Sequence, residues 1–214
     1  MLGFFISIEG VEGVGKTTAI KFLQDHFAVI HKDVVFTREP GGTHNAESIR
    51  SILLGDNLVD PAAETELMLM FASRMENTQK VILPAINAGK IVVSDRYYDA
   101  SYAYQGGGRG ISYAKIDALK AWALGDFAPN LTILLDAPIE TCLKRLDIRP
   151  TKDRIEQEHN DFFARVHDSY LELSQNNERF VIVDAMQSKS EVKKQIIDIV
   201  SSKMAIYYNE THKT

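Results

Sequence analysis

Apolar residues concentrate in five short runs: Phe4-Phe5-Ile6-Ser7-Ile8, Asp33-Val34-Val35-Phe36-Thr37, Ile91-Val92-Val93-Ser94-Asp95, Leu131-Thr132-Ile133-Leu134-Leu135-Asp136 and Phe180-Val181-Ile182-Val183-Asp184. Near-continuous runs of this length read as strands buried on both faces. The segments between them carry the spacing of amphipathic helices. A helix opens at Thr18-Ala19-Ile20, and residues 45–54 place Ile49, Ile52 and Leu53 on one face with Arg50 on another. Residues 63–87 read as one long helix, with Leu67, Met70, Phe71 and Arg74 at i, i+3, i+4 and i+7 and a kink expected at Pro84. A further helix opens at Ser112 and carries Ile116, Leu119 and Ala123 on one face. Residues 139–146, 155–175 (Phe162, Phe163, Val166 and Tyr170 inward) and 190–203 complete the set. Strands alternating with helices predict an α/β fold in three layers: a five-stranded parallel sheet with helices on both faces.

The breaks in this pattern are few. Residues 55–61 interrupt two helices, and Gly106-Gly107-Gly108-Arg109-Gly110 reads as a flexible bend or hinge. Residues 147–154 are short, charged and broken by Pro150, so they are expected to form a mobile excursion, a lid over about residues 146–155. The expected organisation is a single domain over residues 1–205 and a frayed polar tail over 206–214.

The first strand runs into Gly10-Val11-Glu12-Gly13-Val14-Gly15-Lys16-Thr17-Thr18, which fits the pattern of Gly, four residues, then Gly-Lys-Ser/Thr. A strand before it and a helix after it are the context that makes this a phosphate-binding loop, and it identifies a P-loop NTPase. The glycines let successive backbone N–H groups converge on one anion, and the helix N-terminus adds its positive dipole end. Lys16 is expected to reach the β- and γ-phosphates of ATP and the Thr17 hydroxyl to ligate Mg²⁺. Asp95 ends an apolar strand, the position of the acid that holds Mg²⁺ directly or through water.

Composition narrows the class. The 214 residues are 45% apolar and 25% charged, as in an ordinary globule, and no apolar run is long enough for a membrane span. The net charge of −5 argues against nucleic-acid binding by the whole surface. Cys142 is the single cysteine, so no intrachain disulfide and no cysteine-based metal site is expected. The start lacks a basic segment and reads as the first strand, not a signal peptide, and a cytoplasmic location follows as the expectation.

A P-loop serves switches, motors and kinases. The guanine-nucleotide switch motifs, Asp-x-x-Gly after the second strand and Asn-Lys-x-Asp, are absent from the sequence. A motor normally needs a larger chain. A small phosphoryl-transfer enzyme remains, and its difficulty is crowded negative charge, so arginines matter. Arg38, Arg50, Arg74 and Arg96 lie at strand ends and on nearby helices, where a phosphorylated acceptor would bind; Arg145, Arg149 and Arg154 lie in or beside the lid. For Arg38 alone, a solvated loop charge is an equal reading. Arg74, a cation in an apolar stripe, needs a partner: a carboxylate such as Glu66, or a ligand.

Several of these motifs together resemble the bacterial thymidylate kinase family. They are the P-loop with Glu9 and Glu12, Thr37-Arg38-Glu39-Pro40-Gly41-Gly42-Thr43, Asp95-Arg96-Tyr97, Tyr104-Gln105-Gly106-Gly107-Gly108-Arg109, Leu124-Gly125-Asp126-Phe127 and Asp153-Arg154-Ile155-Glu156. The resemblance spans about residues 4–200 and implies transfer of phosphate from ATP to dTMP, giving dTDP and ADP on the route to dTTP. It implies that Arg38, Arg50 and Arg96 hold the dTMP phosphate, that Arg74 bonds the thymine, and that Ser101 and Gln105 add polar contacts to the base. Tyr104 is implied to lie against the sugar, Glu12 to face the 3′-hydroxyl, and Glu9 with Asp95 to lie at the junction of Mg²⁺ and phosphate. Lys16 and Arg96 are implied to be catalytic. The loop carries no arginine of its own, so Arg149 and Arg154 are implied to bring the missing charge from the lid, with Arg145 on the ATP side. Where the family usually stacks a Phe on the base, this chain has Met70 followed by Phe71; either Met70 covers the ring through its sulfur or Phe71 takes the role by a local adjustment. The family also implies a homodimer. Two rivals are a kinase for another nucleoside monophosphate and a regulatory module that binds nucleotides without turnover.

Overall fold

The computed structural model describes residues 3–55, 61–148, 150–175 and 177–211. Strands β1 (Phe4–Glu9), β2 (Val34–Arg38), β3 (Ile91–Asp95), β4 (Leu131–Asp136) and β5 (Phe180–Asp184) form one sheet in the order β2-β3-β1-β4-β5. Every pairing is parallel. The register puts Ile8 beside Asp95 and Arg38 beside Asp95, so the carboxyl ends of the three strands β2, β3 and β1 finish together. In such sheets that edge is where ligands bind.

Alternating strand residues enter two cores. Phe4, Ile6 and Ile8 join Leu23 and Phe27 of α1 (Lys16–Val29), Phe163 and Val166 of α8 (Asn160–Gln175) and Ile196 and Val200 of α9 (Lys189–Thr211). Phe5 and Val92 join Phe71 of α3 (Ala63–Asn77), Ile86 of α4 (Leu83–Asn87) and Ile116 of α6 (Tyr113–Leu124). Helices therefore cover both faces, as the apolar runs required. The remaining helices are α2 (His44–Leu54), α5 (Asp99–Ser101) and α7 (Ile139–Asp147).

Four local expectations change. The helix over residues 63–87 is continuous but turns π-helical over Thr78–Ile82, where the Leu83 N–H reaches the Thr78 carbonyl. Pro84 lacks an N–H and its ring would crowd the carbonyl four residues back, and the wider π turn just before it absorbs that misfit. The glycines after Gln105 are not a flexible hinge: Tyr102–Gly108 is π-helical and packs on α8. A Cβ on Gly107 would lie 1.9 Å from Ser169 Oγ, and one on Gly108 would lie 2.5 Å from the Phe162 ring. Here glycine supplies close approach. The helix expected from residue 155 begins only at Asn160, because Asp153 and Glu156 first close a turn by exchanging bonds: Asp153 N–H donates to Glu156 Oε2 at 3.1 Å and Glu156 N–H to Asp153 Oδ1 at 2.9 Å. The expected tail is helical as far as Thr211, since Tyr207 packs edge-on against Phe4 with centroids 5.2 Å apart. Residues 206–211 thus belong to the domain. Of the expected break at 55–61, residues 56–60 lie outside the described residues.

Candidate active site

A cleft of about 420 Å³ opens at the carboxyl end of the sheet. The loop between β1 and α1 forms one wall. Gly10 and Gly13 hold φ of 134° and 76°. Added Cβ atoms there would meet the Leu135 carbonyl oxygen at 2.6 Å and the Cys142 carbonyl oxygen at 2.2 Å, so the loop is pressed onto β4 and α7 and requires glycine. Val11 and Val14 anchor it with buried side chains and leave its backbone for a ligand. Gly15, in the left-handed region, ends the loop, and Lys16 opens α1. Gly13, Gly15, Lys16, Thr17 and Thr18 line the cleft, with Thr17 and Thr18 exposed. Lys16 Nζ donates to the Gly10 and Val11 carbonyls, each at 2.9 Å. Burial, reinforced by Arg96, lowers its ammonium to about 8 against the opposing carboxylates of Glu12, Asp95 and Glu9.

Arg96 follows β3 with φ of 72°, a conformation that is sparse for a side chain of this size. That backbone turn sends the guanidinium back over β1. Its Nη1 donates to the Gly10 carbonyl at 2.8 Å and to Tyr170 Oη at 3.0 Å, and its Nη2 to Glu12 Oε1 at 2.6 Å and Tyr104 Oη at 2.9 Å. Tyr104 in turn donates a short bond to Glu12 Oε2, and its ring lies 4.7 Å from the guanidinium carbon. Burial pushes the Glu12 carboxyl up, but Arg96, Lys16 and Tyr104 more than offset this and hold it below its ordinary value.

Two carboxylates expected at a metal behave differently. Asp95 lines the cleft, and its Oδ1 is buried without a hydrogen-bond partner among the described residues. An orphaned carboxyl oxygen in the cleft that the exposed Thr17 also lines fits a Mg²⁺ ion or one of its waters. Glu9 does not fit. Its Oε1 accepts from Ser7 Oγ at 2.6 Å and the Tyr97 N–H at 2.7 Å, its Oε2 accepts from Tyr170 Oη at 2.8 Å, and it does not line the cleft. Burial and nearby Asp99 push its carboxyl up to about 7. Glu9 is a fully bonded core acid that fixes the backbone next to Arg96, and the expectation of a metal ligand is corrected.

The cleft is also lined by Arg38, Arg50, Met70, Arg74, Ser101 and Gln105, together with Tyr104. Arg38 is half-exposed and forks onto Glu47, while Arg50 Nη1 donates to the Pro40 carbonyl at 2.8 Å. Arg74 is 2% exposed and pairs with Glu39 at 2.6 Å, not with Glu66. It also donates to Ser101 Oγ at 2.9 Å and the Tyr97 carbonyl at 3.2 Å, which leaves it rigidly aimed. Met70 lines the cleft, whereas Phe71 sits in the second core beneath the Arg74 guanidinium, 4.7 Å from ring centroid to Cζ. Successive helix residues diverge by about 100°, so Phe71 cannot share the cleft wall with Met70, and its expected contact with a base is corrected.

On the lid side, Arg145 lines the cleft, along with Asp153, Ile155 and Glu156. Arg149 lies outside the described residues. Arg154 does not line the cleft. It caps α2 by donating to the Leu53 carbonyl at 3.0 Å and pairs with buried Glu66 at 2.6 Å, so its expected place at the transferred phosphate is corrected. Glu66 also accepts from Gln105 Nε2 at 2.9 Å and from Arg109 Nη2 at 3.1 Å. Burial raises its carboxyl, but the bonds from Arg109, Gln105 and Arg154 prevail and lower it.

A second cavity of about 330 Å³ lies on the other side of the loop, lined by Gly13, Gly15, Thr18 and Arg145 together with Ala185, Gln187 and Lys189. The loop and Arg145 thus separate two chambers that meet at Gly15 and Thr18. Gln187 and Lys189 were missed as site residues because they follow β5, nearly the whole chain away, and carry no local motif. Glu39 was seen as part of a loop motif but not as the partner of Arg74, which depends on how that loop folds over α3.

The family model described as thymidylate kinase matches residues 8–196. A thymidylate kinase of Vesicomyosocius okutanii is 50% identical over 195 residues, covering 91% of this chain and 95% of that protein. One of Nitrosospira multiformis is 45% identical over 197 residues, covering 92% and 96%. The crystal structure of thymidylate kinase from Ehrlichia chaffeensis superimposes with a TM-score of 0.77 at 30% identity, covering 94% of this chain and 99% of that one. With the loop, the two chambers and the arginine-lined cleft in place, the chain belongs to the thymidylate kinase family.

Proposed function

We propose that the chain transfers the γ-phosphoryl group of ATP to dTMP, releasing ADP and dTDP for dTTP synthesis. An oxygen of the dTMP phosphate attacks the γ-phosphorus in line as the bond to the β-phosphate oxygen breaks, with no covalent enzyme intermediate. The observation that carries the reading is the cleft's composition: a phosphate loop together with Arg38, Arg50 and Arg74, and Arg96 bonded to the loop itself. A nucleotide switch has no need for that second set of cations.

ATP is assigned to the loop residues Gly10 to Thr18, with its base in the chamber of Arg145, Gln187 and Lys189. Lys16 leaves the Gly10 and Val11 carbonyls for the phosphates when ATP binds. Arg38, Arg50 and Arg96 receive the acceptor phosphate, and the rigid guanidinium of Arg74 donates to the thymine, covered by Met70 and flanked by Ser101 and Gln105. Tyr104 and Glu12 face the deoxyribose. Mg²⁺, held by Thr17 and Asp95, would neutralise charge on the β- and γ-phosphates. Arg145 and Arg149 are assigned the lid's positive charge, and Arg154 is not.

A homodimer and a cytoplasmic location belong to the same proposal. Support for the dimer is family membership together with Met68 on α3 and Trp122 on α6, which are 64% and 76% exposed. No helix among the described residues is long and apolar enough to cross a membrane. Light scattering on the purified protein is expected to give twice the mass of 24.0 kDa, and a monomer at micromolar concentration would remove that part. For catalysis, Lys16→Ala is expected to abolish dTDP formation. Wild-type protein that binds ATP and dTMP yet forms no dTDP would overturn the enzyme reading.

A further inference from the structure

Glu66 is 1% exposed and does not itself line the cleft, yet it gathers three side chains from different parts of the chain. Gln105 comes from the π-helical segment, Arg109 from just beyond it, and Arg154 from the base of the lid. Gln105 is a cleft residue, and so are both neighbours of Arg154, namely Asp153 and Ile155. Arg109 is held from its other side by Glu158 at 2.6 Å.

The chemistry of this cluster constrains the amide. A carboxylate between two guanidinium groups only accepts, so Gln105 must turn its NH₂ towards Glu66, and its carbonyl oxygen becomes the end available to the cleft. Arg74, which lines the same cleft and bonds Ser101 one turn before Gln105, only donates. A donor and an acceptor offered to one cleft match the C4 carbonyl and N3–H edge of thymine. They oppose the C4 amino group and bare N3 of cytosine.

We propose that Glu66 is a positioning residue: it fixes the polarity of Gln105 and, through Arg154, pins the base of the lid, so that pyrimidine selection and lid position depend on one buried carboxylate. The inference rests on the assignment of dTMP to this cleft. Glu66→Gln can either donate or accept, so it frees Gln105 to invert and releases Arg154.

The test is steady-state kinetics of Glu66→Gln with dTMP and with dCMP, with tryptic cleavage after Lys152 followed in parallel. The expected result is a rise of about tenfold in KM for dTMP, a narrowing of about fivefold or more in the dTMP-to-dCMP ratio of kcat/KM, and KM for ATP within about twofold of wild type. Cleavage at Lys152 is expected to accelerate. In a Gln105→Ala background the same substitution is expected to leave the dTMP-to-dCMP ratio unchanged, as a residue acting through Gln105 must. Glu66→Asp keeps a buried negative charge among the two guanidinium groups but draws both oxygens back from all three partners, Gln105 included; it is expected to narrow the ratio too. An unchanged ratio in the folded variants, or the same narrowing without Gln105, overturns the proposal. Arg74→Ala, run alongside, separates this from an error about the cleft: if it too leaves KM for dTMP unchanged, the acceptor binds elsewhere.

Discussion

Arg96 ties the phosphate loop to the π-helical segment and to α8, touching the Gly10 carbonyl, Glu12, Tyr104 and Tyr170 at once. A lysine offers one compact charge and no planar fork, so Arg96→Lys is expected to lower kcat/KM for dTMP by roughly 10²–10³ while the fold is retained, checked by kinetics and circular dichroism. Lys16, lowered to about 8, should lose its proton from the free enzyme as pH rises through that value. The profile of kcat/KM for ATP is therefore expected to fall above about pH 8, and a flat profile to pH 9.5 would contradict this assignment. Glu9 gives a prediction of opposite kind. Its carboxyl keeps its proton up to about 7 when folded but releases it near 4.5 when unfolded. Between those values the folded state binds more protons, so this group's contribution to stability falls as pH rises. Glu9→Gln is expected to remove that dependence, gaining on wild type between pH 5 and 7.5 in urea unfolding, and a constant difference would refute it. The sequence showed most of these side chains as site residues because each sits in a short motif. It did not show their partners. Arg74 shares a helix face with Glu66, yet its ion pair is with Glu39 from another element, since only the folded loop after β2 decides which acid reaches it.

Elements were legible to different degrees for physical reasons. The strands stand out because burial on both faces makes them continuously apolar, and all five lie where the apolar runs placed them, to within a residue at each end. The π-helical Tyr102–Gly108 did not stand out, because its glycines look like loop punctuation until Phe162 and Ser169, more than fifty residues away, are brought against them. Gly107→Ala is expected to cost roughly 1–3 kcal/mol in urea unfolding, since the new Cβ meets Ser169 and the Arg165 backbone. A variant as stable as wild type would restore the hinge reading. The end of α9 was hidden for the opposite reason: Tyr207 and Tyr208 are followed by a polar run, and only their packing against Phe4, at the other end of the chain, makes the last turns part of the fold. Tyr207→Ala is expected to lower the melting temperature by several degrees, corresponding to about 1–2 kcal/mol.

At the scale of the whole molecule, the sheet order puts β1 at the centre and brings the carboxyl ends of β1, β2 and β3 to one edge. The phosphate loop lies between two chambers there, one lined by Arg38, Arg50, Arg74 and Arg96 and the other by residues after β5. That division suits a transfer between two nucleotides, in which each would be held from its own side and the reacting phosphates would meet over Lys16. The central claim is the identity of the acceptor. Initial rates of ADP formation with ATP and each of dTMP, dUMP, dCMP, AMP and GMP test it most directly. The highest kcat/KM is expected with dTMP, and a higher value with any other acceptor would contradict the assignment.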